Sequence, residues 1–432
     1  WKRIKSYAES DEAKALEGVK LRLLDETVKD FVRSGADLPA DKKSRLEKVE
    51  AGLAKVTQKF SENVLDSTNE WELIIEDTKR LAGLPNTAVS VLQSEAVAKN
   101  LGSEDEPVYC ITLKAPVYFP VLEYADDADL RKEVWEGSIT VGRGGDFDNT
   151  ELIAEILKLR QEKAEILGKA NFADQVLEER MANNGATALG FLEDLAERTQ
   201  PFFQREIGDL KAFREEQDSS WDGVFEPWDV AYWAEKLRKA QYDFDEEEVR
   251  PYFAIDNVIE GMFRLCEKVF GFKIVECDSA FTEPGGEPEG DAVEVWHPEV
   301  KFYELCDETS GELLGSFYAD WHPRVDKRGG AWMNYFKTGT PPTDKEPRRP
   351  HLGLICGNLT PSSADKPALL TDREVETVFH EFGHLLHHLM GEVAIKSHNG
   401  LHLVWDFVEL PSQIRETFCW SRVSLDFLAN HY

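Results

Sequence analysis

Residues 377 to 388 read TVFHEFGHLLHH, four of the chain's ten histidines within nine positions, with Glu381 directly after the first of them. At about 100° per residue, Val375, Val378, Phe379, Phe382, Leu385, Leu386, Leu389 and Met390 fall on one side of a helix, and His380, Glu381, His384, His387 and His388 on the other. The ends of that helix are also written in the sequence. Thr371-Asp372-Arg373-Glu374 has the form of a capping box and Gly391 follows the last periodic residue, so the pattern predicts a helix over 372–390.

Histidines at i and i+4 stand one turn apart and can aim their nitrogens at one ion, the geometry a catalytic zinc needs. Glu381 lies between their spokes. A carboxylate there can take a proton from an activated water and return it to a leaving amine, acting as base and acid without ligating the metal. His387 and His388 are expected in solvated or supporting positions. A catalytic zinc takes three protein ligands and leaves a position for water, so one ligand must come from elsewhere. The extended pattern His-Glu-x-x-His-x-x-Gly-x-x-His fails, because His387 stands where it needs glycine and Met390 where it needs histidine. A downstream carboxylate is the better candidate. The stretch WDFVELPSQIRETFCW, 405–420, offers Asp406, Glu409 and Glu416 in a second helical pattern. Spacing alone does not choose among them, and His398 and His402 stay open as well.

The rest of the chain bounds what this helix can serve. With 50 basic against 82 acidic side chains, the formal net charge of the 432 residues is -32, which repels nucleic-acid phosphates and anionic lipid and excludes both as partners. The same charge concentrates cations and positively charged peptides. Cys110, Cys266, Cys277, Cys306, Cys356 and Cys419 are scattered without pair spacing, which suggests neither a disulfide framework nor a cysteine zinc site and fits a reducing, cytoplasmic setting. No run of about 18 apolar residues occurs, and the opening WKRIKSYAESDEAKALEGVK has no signal-peptide apolar centre. Trp1 stands where an initiator methionine would, which leaves the true start open.

Charged and apolar residues alternate at helical period from about residue 3 to residue 100, which predicts long antiparallel helices, and further helices are expected over 151–168, 187–217, 228–241 and 256–270. The loop GGEPEGDAV, 285–293, then marks a change. Val300–Asp307 and Leu313–Trp321 read as a β-hairpin around Glu-Thr-Ser-Gly-Glu. KRGGAWM, 327–333, reads as a basic loop, TPPTDKEPRRP, 340–350, as a proline-rich connection, and LGLICGNLT, 352–360, as a short strand. The expected organisation is a predominantly helical body over 1–345, with a small β region near 293–321, followed by a zinc-site segment over 346–432.

Beyond the short motif, the sequence resembles the thimet oligopeptidase and oligopeptidase A family of zinc metallopeptidases. FHEFGHLLHH, WDFVELPSQ at the matching separation, FYADWHPRVDKRGGAWM and LICGNLT carry the likeness, which continues more weakly across the helical N-terminal region. The resemblance implies one zinc per chain held by His380, His384 and Glu409, with Glu381 as the base. It also implies a mainly α, elongated zincin-type body with a small β-hairpin region and a deep channel that admits short peptides. Asp406 and Glu416 are left as helix-surface acids or as partners orienting the histidines. The strand near Gly357 and Asn358 resembles the family's edge strand, along which a peptide backbone pairs. One departure stands out: the family's later glycine- and tyrosine-rich stretch, which supplies oxyanion donors, has no counterpart before Tyr432. Loss of such donors costs about 3 to 4 kcal/mol in the transition state. The implied function is therefore a zinc endopeptidase acting on short peptides. The alternative is a zinc-holding but inactive or incomplete body that binds peptides or needs a complementary C-terminal chain or segment.

Overall fold

The computed structural model describes residues 1–102, 107–242, 245–282, 286, 290–362 and 366–432. It divides into two compact units, the first formed by Trp1–Ser67, Val141–Pro201 and Val404–Asp406, the second by Thr68–Thr140, Phe202–Leu403 and Phe407–Tyr432.

The first unit is helical. The helices Gly18–Arg33, Ala40–Glu70 and Thr150–Ile166 dominate it, and Arg45–Glu162 and Lys163–Glu50 ion pairs cross between the last two. Beneath those pairs Leu46, Val49, Ile156 and Leu159 are buried, while Asn63 donates from Nδ2 to Asn149 Oδ1 at 3.0 Å.

The second unit carries the strands. The helical period expected up to residue 100 breaks at β1 (Glu72–Ile75), which pairs antiparallel with β2 (Tyr109–Thr112) under the helices Asn86–Ala98 and Ala115–Tyr124. Ile75, Leu92, Ile111, Val121 and Leu130 form the core there. The hydrophobic residues of ELII satisfy either periodicity over so short a run, and the partner that decides for strand lies more than thirty residues away.

The main sheet has five strands in the order β3-β6-β7-β9-β8, where β3 is Phe272–Cys277, β6 Lys301–Asp307, β7 Leu313–Asp320, β8 Trp332–Lys337 and β9 His351–Cys356. The short β4 (Ser279–Phe281) and β5 (Val293–Val295) pair parallel beside it. The β6–β7 hairpin occurs where the sequence places it, but the sheet is wider than the region expected near 293–321. Of its members, β3 lies in a stretch given no element in the sequence reading, and β8 begins inside the segment read as a basic loop. Of the loop expected over 285–293, residues 285 and 287–289 fall outside the described residues.

A second correction concerns the edge. Strand β9 runs parallel to β7 and antiparallel to β8, so it is hydrogen-bonded on both sides and the edge belongs to β8. Gly357 and Asn358 lie just past the end of β9, where Gly357 N–H bonds Asp320 O at 2.8 Å. The segment read as a basic loop is therefore an anchored approach into the edge strand. Burial acts to raise Asp320, but hydrogen bonds from Arg324 and Lys327 outweigh it and hold the carboxyl at about 2. Lys327 Nζ also donates to the backbone oxygens of Asp320 and His322, at 2.8 and 2.9 Å.

The helix Asp372–Leu389, hereafter the site helix, lies on this sheet. Its capping box is formed as expected, with Thr371 Oγ1 accepting from Glu374 N–H at 3.1 Å. Phe379, Phe382, Leu385 and Leu386 pack with Phe317 and Ile355 of the sheet and with Val258 and Met262 of the helix Ile255–Phe270. On the opposite face, Glu381, His384 and His388 are buried too.

Of the solvated and supporting positions open to His388, the structure excludes the solvated one, since the residue is fully buried. It stacks on Tyr335 at 4.8 Å, meets His351 edge-on at 4.8 Å, and its Nε2 donates to Lys337 O at 3.1 Å. Burial pushes it from the ordinary 6.5 down to about 4, and the neighbouring His351 adds to that. The unfolded chain thus takes up a proton here before the folded one does, so stability is lost as pH falls from about 6.5 to about 4. The loss at the lower limit is about 3 kcal/mol at 1.4 kcal/mol per unit. Urea midpoints recorded across this window are expected to fall more steeply for the parent than for His388→Gln, and equal slopes would place the acid sensitivity elsewhere.

Candidate metal centre

The site is assembled from two short pieces of chain that touch. The site helix supplies His380, Glu381 and His384. Trp405–Val408 and Leu410–Glu416 are helical turns with Glu409 at the junction, N-terminal to Pro411. The second of these turns meets the site helix at Gly383, where an added Cβ would stand 2.7 Å from Ser412 Cα and 2.8 Å from Pro411 O. Glycine at this point permits a backbone approach that no side chain would allow.

That approach delivers Glu409. Its Oε2 lies 3.3 Å from His380 Nε2 and 3.2 Å from His384 Nε2, and the three donor atoms all fall within 4.8 Å of one another. The two imidazole planes cross at 84°. Ser412 Oγ donates to the same Glu409 Oε2 at 2.9 Å and to Glu409 O at 2.8 Å, fixing the carboxylate.

The chemistry of the contact tests whether an ion fits. Glu416 Oε1 accepts from His380 Nδ1 at 2.6 Å, which assigns the ring proton to Nδ1 and leaves Nε2 as a lone pair aimed at Glu409. A lone pair facing a carboxylate oxygen at 3.3 Å is repulsive unless positive charge sits between them. Two imidazoles sharing one oxygen is the arrangement that a single ion satisfies. Zinc with arms of about 2.0–2.1 Å in a tetrahedron sets neighbouring donors about 3.3 Å apart, which matches both distances. The two-nitrogen, one-oxygen donor set also suits zinc.

Glu381 is buried beside this cluster. Burial lifts its carboxyl to about 7; His380 and the backbone N–H of Met333 act against the rise, and Glu409's charge adds to it. An ion at the cluster would pull that value down.

The other residues singled out in the sequence fall on both sides of the cluster. Glu416 reaches His380, whereas Asp406 accepts from Met181 N–H at 3.2 Å. His402 meets Thr338 Oγ1 at 3.1 Å, and among the described residues the group able to hold an ion contains neither His402 nor His398. Asn358 donates from Nδ2 to Arg328 O at 3.0 Å and to Gly330 O, tying the end of β9 to the approach of β8. Sequence reasoning missed Ser412 and Gly383. The signal for Gly383 was its place inside the motif, opposite a Pro-Ser pair that becomes visible as its neighbour only in three dimensions.

Residues 121–432 match the profile of peptidase family M3. Oligopeptidase A of Escherichia coli strain K12 is 36% identical over 440 residues, an alignment covering 100% of this chain and 61% of that protein. The organellar oligopeptidase A, chloroplastic/mitochondrial, of Arabidopsis thaliana is 38% identical over 440 residues, covering 99% and 53%. Saccharolysin of Saccharomyces cerevisiae is 29% identical over 441 residues, covering 100% and 58%. The chain thus spans between 53% and 61% of the length of these relatives.

Proposed function

Because the chain belongs to peptidase family M3, we propose that it is a zinc-dependent endopeptidase that hydrolyses short peptides, with His380, His384 and Glu409 as ligands and Glu381 as general base. The observation that carries this reading is the single carboxylate oxygen shared by two imidazoles of one helix, with a buried carboxylate beside them. Zinc bound there would polarise the scissile carbonyl and acidify a water.

The chain's own residues do the rest. Glu381 would accept the water's proton and pass it to the leaving amine, a role that its buried place beside the three donors suits. Glu416 keeps His380 in the ligating tautomer. Strand β8 is the edge of the sheet, where an extended peptide would lie, a mode that gives affinity with little demand on sequence. In this reading Asn358 contributes to substrate binding by holding Arg328 and Gly330 in place at the entry to that edge, and Gly357 by its bond to Asp320 O beside it.

Among the described residues no helix is long and apolar enough to cross a membrane. All six cysteines are unbridged, which fits the cytoplasm we propose, although the relatives include both cytosolic and organellar proteins. A second reading, a metal-holding body that cuts only with a complementary C-terminal chain or segment, is favoured by exposed Leu189, Phe191, Leu192 and Leu195 on one helix.

The test is removal and return of the metal. The protein is expected to carry one zinc by elemental analysis, to lose cleavage of a quenched fluorescent peptide on chelation, and to regain it with stoichiometric zinc. Full cleavage by metal-free protein would end the proposal.

A further inference from the structure

In the second unit a cavity of about 270 Å³ opens beside the start of the site helix. One wall is Pro116, Phe119 and Pro120 of the helix Ala115–Tyr124, and the cavity is also lined by Ala331 at the entry to β8 and Thr377 of the site helix. Glu123 and Glu246 supply its carboxylates.

Two residues that line the cavity stand close along the chain to the groups of the cluster. Thr377 stands one turn before Glu381, about 6 Å along the helix. Ala331 precedes Met333, whose N–H meets Glu381, by two strand residues or about 7 Å. A peptide laid along β8 with its scissile bond at the cluster therefore carries a side chain two or three residues away past the mouth of this cavity.

We propose that the cavity is a side-chain subsite and that it selects a long basic side chain, arginine or lysine, at one fixed position near the scissile bond. This inference rests on the peptidase reading and adds a substrate class to it. The proline and phenylalanine wall suits an aliphatic stem, and the carboxylates suit a charged head. Of the other charged groups lining the cavity, Arg373 is exposed, while Glu374 and Arg250 are engaged by local partners. Glu374 accepts from Thr360 N–H and Oγ1 at 2.6 and 2.8 Å and from Thr371 N–H at 2.8 Å. Arg250 pairs with Glu247 at 2.7 Å and donates to Leu369 O at 2.8 Å.

Glu123 and Glu246 are less well served. Arg373 approaches Glu123 only to 3.8 Å with its own side chain 78% exposed, and Arg238 approaches Glu246 to 3.6 Å. Burial raises both carboxyls; the charge of Glu246 adds to the rise at Glu123, and that of Asp372 to the rise at Glu246. An entering guanidinium or ammonium would relieve both.

The experiment uses the full natural chain and peptides that differ only in arginine, lysine, leucine or glutamate at each of the positions flanking the cleaved bond. Cleavage is followed by kcat/KM, and binding by anisotropy of labelled peptides on Glu381→Gln. A preference for arginine or lysine over glutamate on the order of tenfold or more is expected at one position. It should vanish in Glu123→Gln/Glu246→Gln through KM and binding, with the leucine peptide unaffected. Phe119→Trp, which fills the cavity, should weaken binding of the basic peptides without changing zinc content. A basic preference that survives the double variant, or no basic preference at any position, overturns the subsite. Because binding is read separately, a chain that binds the basic peptide but fails to cut it contradicts the peptidase reading and leaves the subsite standing.

Discussion

Glu381→Gln is expected to hold zinc as the parent does and to cleave peptides on the order of 10² to 10⁴-fold more slowly. The amide fills the same buried space and still accepts from Met333 N–H, but it cannot take up a proton. Since Glu381 is not among the three converging donors, the metal should remain. Zinc content by elemental analysis and turnover of a quenched peptide read the two effects separately. Cleavage within about threefold of the parent would remove Glu381 from the role of base, and loss of zinc would show that its charge supports the ligands.

Gly383→Ala is expected to lower zinc affinity on the order of a hundredfold or more while the fold persists. The new methyl would stand 2.7 Å from Ser412 Cα, 2.8 Å from Pro411 O and 2.9 Å from Arg415 Cγ, and two of those atoms are backbone. The two segments must part, and Glu409, two residues before Pro411, retreats with its segment. Metal sites tolerate displacements of about 0.2 Å, less than the shift such contacts demand. Competition with a chromogenic chelator measures the affinity and far-ultraviolet circular dichroism the helix content. Parent-like affinity would mean that something other than this close approach positions Glu409.

Much of the site helix was legible because local chemistry alone specifies it. The capping box at Thr371 and Glu374, the apolar stripe through Phe379 and Phe382, and the i, i+4 histidines all lie within one element. The third donor was not legible from spacing. Asp406, Glu409 and Glu416 lie on the same stretch, and what distinguishes them is where Gly383 lets that stretch dock. The edge strand was missed for a related reason. Gly329 and Gly330 signal a loop, and the residues after them become β8 only through pairing with β9, which follows later in the chain. His388 shows the limit of reading faces from periodicity: a histidine on the polar side of a helix is still core when Tyr335, His351 and the Lys337 carbonyl close over it.

The Glu374 carboxylate both completes the helix cap with Thr371 and grips the backbone and hydroxyl of Thr360, which follows β9. The start of the helix is thereby keyed to the sheet in rotary phase, like a shaft pinned at one end. His380 lies about 1.7 turns beyond Glu374, so the angular setting of its ring is inherited from that pin. A change at Thr360, which touches none of the donors, would reach them as a twist.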